Sequence, residues 1–151
     1  MALTLMFHAL AAVIWVGGMF FAYVVLRPTV GTLGPAMRLP LWDRVLARYF
    51  PWVWSSIASL LVTGFTMVFF TFGGLTALRV HIRAMMMIGM LMSALYLWLY
   101  FGPWRRFRQA VKKEDWNTAE RRLAQIRRLV GLNLALGMIN VVVGASGRYI
   151  L

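Results

Sequence analysis

Charge-free apolar runs alternate with short basic stretches along the whole chain. Such runs extend from Met1 to Leu26, between Arg48 and Arg79, between Arg83 and Arg105, and between Arg128 and Arg148. A hydrocarbon layer of about 30 Å is crossed by about 20 residues of helix, so every run is long enough to span it. The pattern predicts an all-α fold: an integral-membrane four-helix bundle of up-down topology. It forms a single transmembrane domain over residues 1–151, with helices at about 3–27, 49–73, 79–110 and 118–148.

Between the runs, residues 27–48 carry Pro28, Gly31, Gly34, Pro35 and Pro40. They read as an irregular loop, with room for a short amphipathic helix at its end. Phe72-Gly73-Gly74 reads as a tight second turn. In the third connection Asn117 followed by Glu120 has the spacing of a capping box, so the fourth helix starts there and enters the membrane near Leu129.

Spacing also assigns faces. His81, Met85, Ile88 and Met92 fall on one stripe of the third helix. Asn133, Gly137, Asn140, Gly144 and Gly147 form a stripe of small and amide residues on the fourth, suited to close helix approach. Ser56, Ser59, Thr63 and Thr66 follow the same rhythm on the second, and Gly17-Gly18 on the first leaves room for a neighbour or a ring. Trp15, Trp52, Trp54, Trp98 and Trp104 read as interface-belt and packing residues.

Composition sharpens this picture. Hydrophobic residues make up 62% and charged ones 13%, an apolar balance that water would not tolerate and a bilayer does. The absence of cysteine excludes disulfides, thiolate metal sites and Fe–S clusters. A net charge of +12 raises nucleic acid as a partner. The basic residues flank the apolar runs, however, and lipid topology accounts for them there, so no nucleic acid is expected. Thirteen of the 16 Lys and Arg residues lie in the first and third connections, and the other three are Arg79, Arg83 and Arg148. The positive-inside rule then places both termini on the outer side, periplasmic for a bacterial inner (cytoplasmic) membrane protein. The first run lacks a basic leader and is too long for a cleaved signal, so none is expected to be removed.

Candidate chemistry centres on the only two histidines. His8 lies about two turns into the first helix and His81 in the first turn of the third. These helices run parallel, so the two imidazoles are expected at similar depth, where they could clamp a haem b as axial ligands; the leading expectation is a b-type haem membrane protein acting in electron transfer or as a redox subunit. Arg79, Arg83 and Arg148 would then pair with its propionates. The bland alternative has the arginines snorkelling to headgroups and each histidine bonding a neighbour. Copper is the alternative metal, with His8, His81 and thioethers as soft ligands. In the methionine-rich third helix, Met86 and Met90 at i and i+4 could converge on one ion, although core packing is the better reading of most methionines. No catalytic constellation stands in the sequence, so any enzymology would be a haem-dependent membrane oxidoreductase activity carried by the cofactor. The corresponding partners are the lipid bilayer, a redox protein or quinone, and further copies or a larger membrane complex in which the chain is an accessory subunit.

FHALAAVIWVGGMFFAYVVLRP (7–28) resembles the first helix of the CopD-type copper-resistance membrane family. VHIRAMMMIGMLM (80–92), YFGPWRRFRQA (100–110) and IRRLVGLNLALGMINVVVGASGR (126–148) are similar to later segments of its short members. That resemblance implies copper uptake. A more distant similarity is to the HemJ-type protoporphyrinogen oxidase family, which implies b-type haem at His8 and His81. Where that family has a lysine after the third-helix histidine, this chain has Arg83. Where it has an acidic residue in the last helix, this chain reads GLNLALG.

Overall fold

The computed structural model describes residues 2–71, 73–75 and 78–150, the side chains of 148–150 excepted. Four long helices make up nearly all of it: α1 (Ala2–Val30), α2 (Pro35–Phe70), α3 (Val80–Lys112) and α4 (Trp116–Ile150). Each is long and apolar enough to cross a membrane. Large apolar side chains point outward all round the bundle, among them Val13, Trp52, Phe70, Trp98 and Val142. This is a multi-pass membrane protein. Its lipid-facing surface is apolar because lipid, unlike water, imposes no cost on it.

α1 packs chiefly on α2 and α3 on α4, and α4 also touches α1. The two hairpins are joined at the basic end by rings. Phe50 of α2 meets Tyr96 and Trp104 of α3 edge-on, at centroid distances of 5.6 and 4.9 Å. Trp54 meets Tyr96 at 5.5 Å, and Trp15 of α1 reaches the same ring at 6.5 Å. Edge-to-face pairs add about 0.5–1.5 kcal/mol each beyond their contact area. The Tyr96 hydroxyl donates to the Phe50 carbonyl (3.2 Å) and the Tyr49 hydroxyl to that of Trp15 (2.6 Å). These bonds leave the two phenols satisfied inside the membrane. Gly18 is the reason Tyr49 fits: a Cβ there would stand 2.3 Å from the ring.

The first connection is much shorter than the sequence suggests. α2 begins at Pro35, so the loop expected over 27–48 shrinks to the residues around Gly31–Gly34, and Pro40 and Pro51 lie inside the helix. Prolines and arginines argue for a loop. The winning term is burial: Leu39, Trp42, Leu46, Phe50, Val53 and Ile57, spaced by three or four, form one buried face that runs straight past both prolines. At 1.5 Å per residue α2 is about 54 Å long, so it projects well beyond the hydrocarbon.

Prolines also explain two irregularities. α1 is π-helical over Phe21–Leu26 and α3 over Tyr100–Trp104. Pro28 follows the first segment and Pro103 lies in the second. A proline ring clashes with the carbonyl four residues back, and the wider π turn relieves that clash.

The second connection holds Gly73 (φ 77°) and Gly74 (φ 99°), a left-handed pair, with the Gly74 N–H bonded to the Val68 carbonyl (3.0 Å). Only glycine adopts such angles without strain, so the pair ends α2. Phe72, assigned to this turn from sequence, lies outside the described residues. The capping residue of α4 is Asp115 and not Asn117: the Thr118 N–H donates to Asp115 Oδ1 (3.1 Å). The Thr118 hydroxyl, together with that N–H, holds the exposed Asp115 carboxyl below its ordinary range.

Candidate metal centre

Away from the aromatic end, the half of the bundle near the termini is built from small and polar residues. The α4 stripe faces inward as its spacing suggests, but its glycines are filled by protein side chains. A Cβ at Gly137 would meet Val16 of α1 at 2.9 Å and Met92 of α3 at 3.1 Å. At Gly144 it would meet the Met85 methyl at 2.8 Å, and at Gly147 the His81 Cβ at 2.6 Å. The stripe therefore seats His81, Met85 and Met92, the inward face of α3, directly against the α4 backbone. Asn133 reinforces the joint by donating from Nδ2 to the Met92 carbonyl (3.2 Å).

His8 leans the other way. Its Nδ1 lies 2.8 Å from Thr63 Oγ1 of α2. The Thr63 hydroxyl has one proton, and the Ser59 carbonyl 2.5 Å away takes it. Thr63 is then an acceptor toward His8, which must carry its proton on Nδ1. The lone pair is left on Nε2, available to a metal. Ligating histidines are held this way, with the other ring N–H given to an oxygen.

His8 is held from α2 through Thr63, and His81 packs on α4 at Gly147. Their depths differ as well. Counted outward from the layer where Val16 and Met92 both meet Gly137, His8 is eight residues away and His81 eleven. At 1.5 Å per residue His81 stands roughly 4–5 Å closer to the membrane edge. Met85, seven residues out, is level with His8.

His81 is 7% exposed, and its Nδ1 is buried with no hydrogen-bond partner. Leaving such an atom unpaired costs about 1–3 kcal/mol, which a bound ion would offset. Met85 is its i+4 neighbour and half-buried beside it. The methionine pair read from sequence does not serve, since Met90 is 50% exposed to lipid. Asn133 Oδ1 and Asn140 Oδ1 on α4 are also buried without partners. Among the described residues no group of three or more His, Cys, Asp or Glu comes together. A metal in this half would be held by imidazole nitrogen and thioether sulfur.

Arg79 is exposed at the start of α3, where its carbonyl accepts from the Ile82 and Arg83 N–H groups, both at 3.1 Å. Arg83 is exposed one turn on. The Arg148 side chain lies outside the described residues. Sequence reasoning passed over Thr63 as a partner of His8 and gave Met85 only a packing role. The His-x-x-x-Met spacing was the available signal for the second.

The family model described as copper resistance protein D matches residues 43–146, more than half of the chain. The chain belongs to the copper resistance protein D (CopD) family. The matched region of this CopD chain includes Thr63, His81, Met85 and the α4 stripe as far as Gly144, and starts after His8. No curated protein and no solved structure matches.

Proposed function

We propose that this CopD-family protein binds Cu(I) as cargo within the membrane, at a site made by His81 and Met85 of α3 and completed by His8 of α1. The observation that carries the reading is the buried, unpartnered Nδ1 of His81, with Met85 one turn on along α3 and packed against the same helix. Imidazole and thioether are ligands of the softness Cu(I) selects, and the chain offers no thiolate. Thr63 supports His8 as the third donor by fixing its tautomer. We place the site on the periplasmic side of a bacterial inner membrane, because the first and third connections, with 13 of the 16 Lys and Arg residues, mark the opposite side as cytoplasmic. In this reading the protein moves or hands on copper and makes or breaks no covalent bond.

The test is an anaerobic competition titration of the purified protein against a chromophoric Cu(I) chelator. The expected result is one Cu(I) per chain, with affinity falling at least tenfold in His81→Ala and in Met85→Leu, and unchanged in Met90→Leu. Volume is nearly conserved in both methionine changes, so the fold is expected to survive them. Failure of the wild type to hold Cu(I), together with a low-spin b-type haem spectrum, would replace this reading with haem ligation by His8 and His81. Arg79, Arg83 and Arg148 would then be the propionate partners.

A further inference from the structure

At the opposite, basic end, three arginines from three helices surround one cleft of about 490 Å³. Arg27 comes from the end of α1, Arg38 from the first turns of α2 and Arg127 from α4. The rest of the lining is Tyr23, Val24, Pro28 and Gly31. Elsewhere at this end Arg108 meets Asp43 (3.4 Å) and lies over Trp104, and Arg105 lies over Phe101. Around the cleft there is one carboxylate for three guanidiniums, Glu120, which pairs with Arg38 Nη2.

The guanidiniums are oriented rather than loose. Arg27 lies over the Tyr23 ring (4.9 Å) and Arg127 over Trp42 (5.8 Å). Arg38 Nη1 donates to the Leu33 carbonyl (3.2 Å). Yet Arg38 Nε and Arg127 Nε are both buried with no hydrogen-bond partner. Positive-inside topology explains why basic residues are at this end. It does not explain why three of them, from three helices, converge on one cleft.

We infer that this cleft binds the phosphate of an anionic ligand, and that a phospholipid headgroup is its natural source. Guanidinium forks match phosphate oxygens, and a singly charged phosphodiester would offset the surplus charge of the arginines that line the cleft. Depth favours lipid over a soluble anion. Arg27 directly follows the charge-free run ending at Leu26, which puts the cleft at headgroup level. Val24 lines the cleft and is 47% exposed, so an acyl chain can run down the outside of α1 while its headgroup sits among the arginines. Basic pockets between transmembrane helices on the cytoplasmic side are the chemistry by which anionic headgroups are held.

The test is native mass spectrometry of the intact protein in detergent, titrated with phosphatidylglycerol or with phosphatidylcholine. The wild type is expected to retain one phosphatidylglycerol and no phosphatidylcholine. Each interfacial arginine contributes roughly a factor of five, so Arg27→Gln with Arg127→Gln should weaken retention roughly thirtyfold. Arg106→Gln with Arg128→Gln, the same charge change away from the cleft, should leave it near the wild-type value. Arg27→Gln alone, at an exposed side chain, guards against misfolding and should give an intermediate loss. Displacement of the lipid by millimolar inorganic phosphate, or phosphate binding in its place that the cleft variant lacks, would identify free phosphate as the occupant of the same site. Equal retention of the two lipids, equal loss in the two double variants, or no binding of either lipid or phosphate would overturn the inference.

Discussion

A single hydroxyl decides what His8 can do. Thr63 gives its proton to the Ser59 carbonyl and so turns His8 into an Nδ1–H donor with a bare Nε2. Loss of an outer partner of a ligating histidine costs about 10–100-fold in metal affinity. Thr63→Val is therefore expected to weaken Cu(I) binding by that factor in the chelator competition, and Thr63→Ser to restore it. Equal affinity in both variants would remove Thr63 from the site. The glycines make a second residue-scale prediction. A side chain at Gly147 collides with His81, and one at Gly137 collides with Val16 and Met92. Overpacking of this kind costs about 1–3 kcal/mol. Gly137→Leu and Gly147→Leu should each lower the detergent melting temperature, while Val142→Leu, on the lipid face at 60% exposure, should not. Both histidines stood out in the sequence because there are no others. Their partners did not, because a stripe shows which way a residue faces without showing which helix it meets.

At the scale of helices, spans could be read from charge spacing, whereas ends could not. α1, α3 and α4 begin and end within a few residues of expectation, since charges sit where lipid stops. α2 departs because proline argues for a break, while an apolar face from Leu39 to Ile57 keeps the helix running through Pro40 and Pro51. The cap of α4 moved from Asn117 to Asp115 for a similar reason: several residues near a helix start can cap, and only geometry selects one. The aromatic joint was hidden because it is assembled from three helices. Phe50 is its centre, touching Tyr96, Tyr100 and Trp104. Phe50→Ala should destabilise the bundle by about 3 kcal/mol or more, read as unfolding in denaturant, because the cavity lies between helices that cannot close over it. Trp52→Ala, at a side chain 61% exposed toward lipid, should have little effect.

For the molecule as a whole, the two ends are built for different tasks. One end is tightened by rings and crowned by arginines, with a cleft suited to a headgroup. The other is closely packed on the α4 glycines, and holds the imidazoles and a thioether level with His8. The orientation has its own check: a reporter fused after Leu151 should be active only if exported, and activity only in the cytoplasm would reverse the assignment of sides. The central claim is that imidazole and thioether of α3 share one copper ion. X-ray absorption at the copper edge of the Cu(I)-loaded protein tests it most directly. A mixed shell of nitrogen and sulfur is expected, with the sulfur contribution lost in Met85→Leu and retained in Met90→Leu. A shell of nitrogen and oxygen alone, unchanged by Met85→Leu, would contradict it.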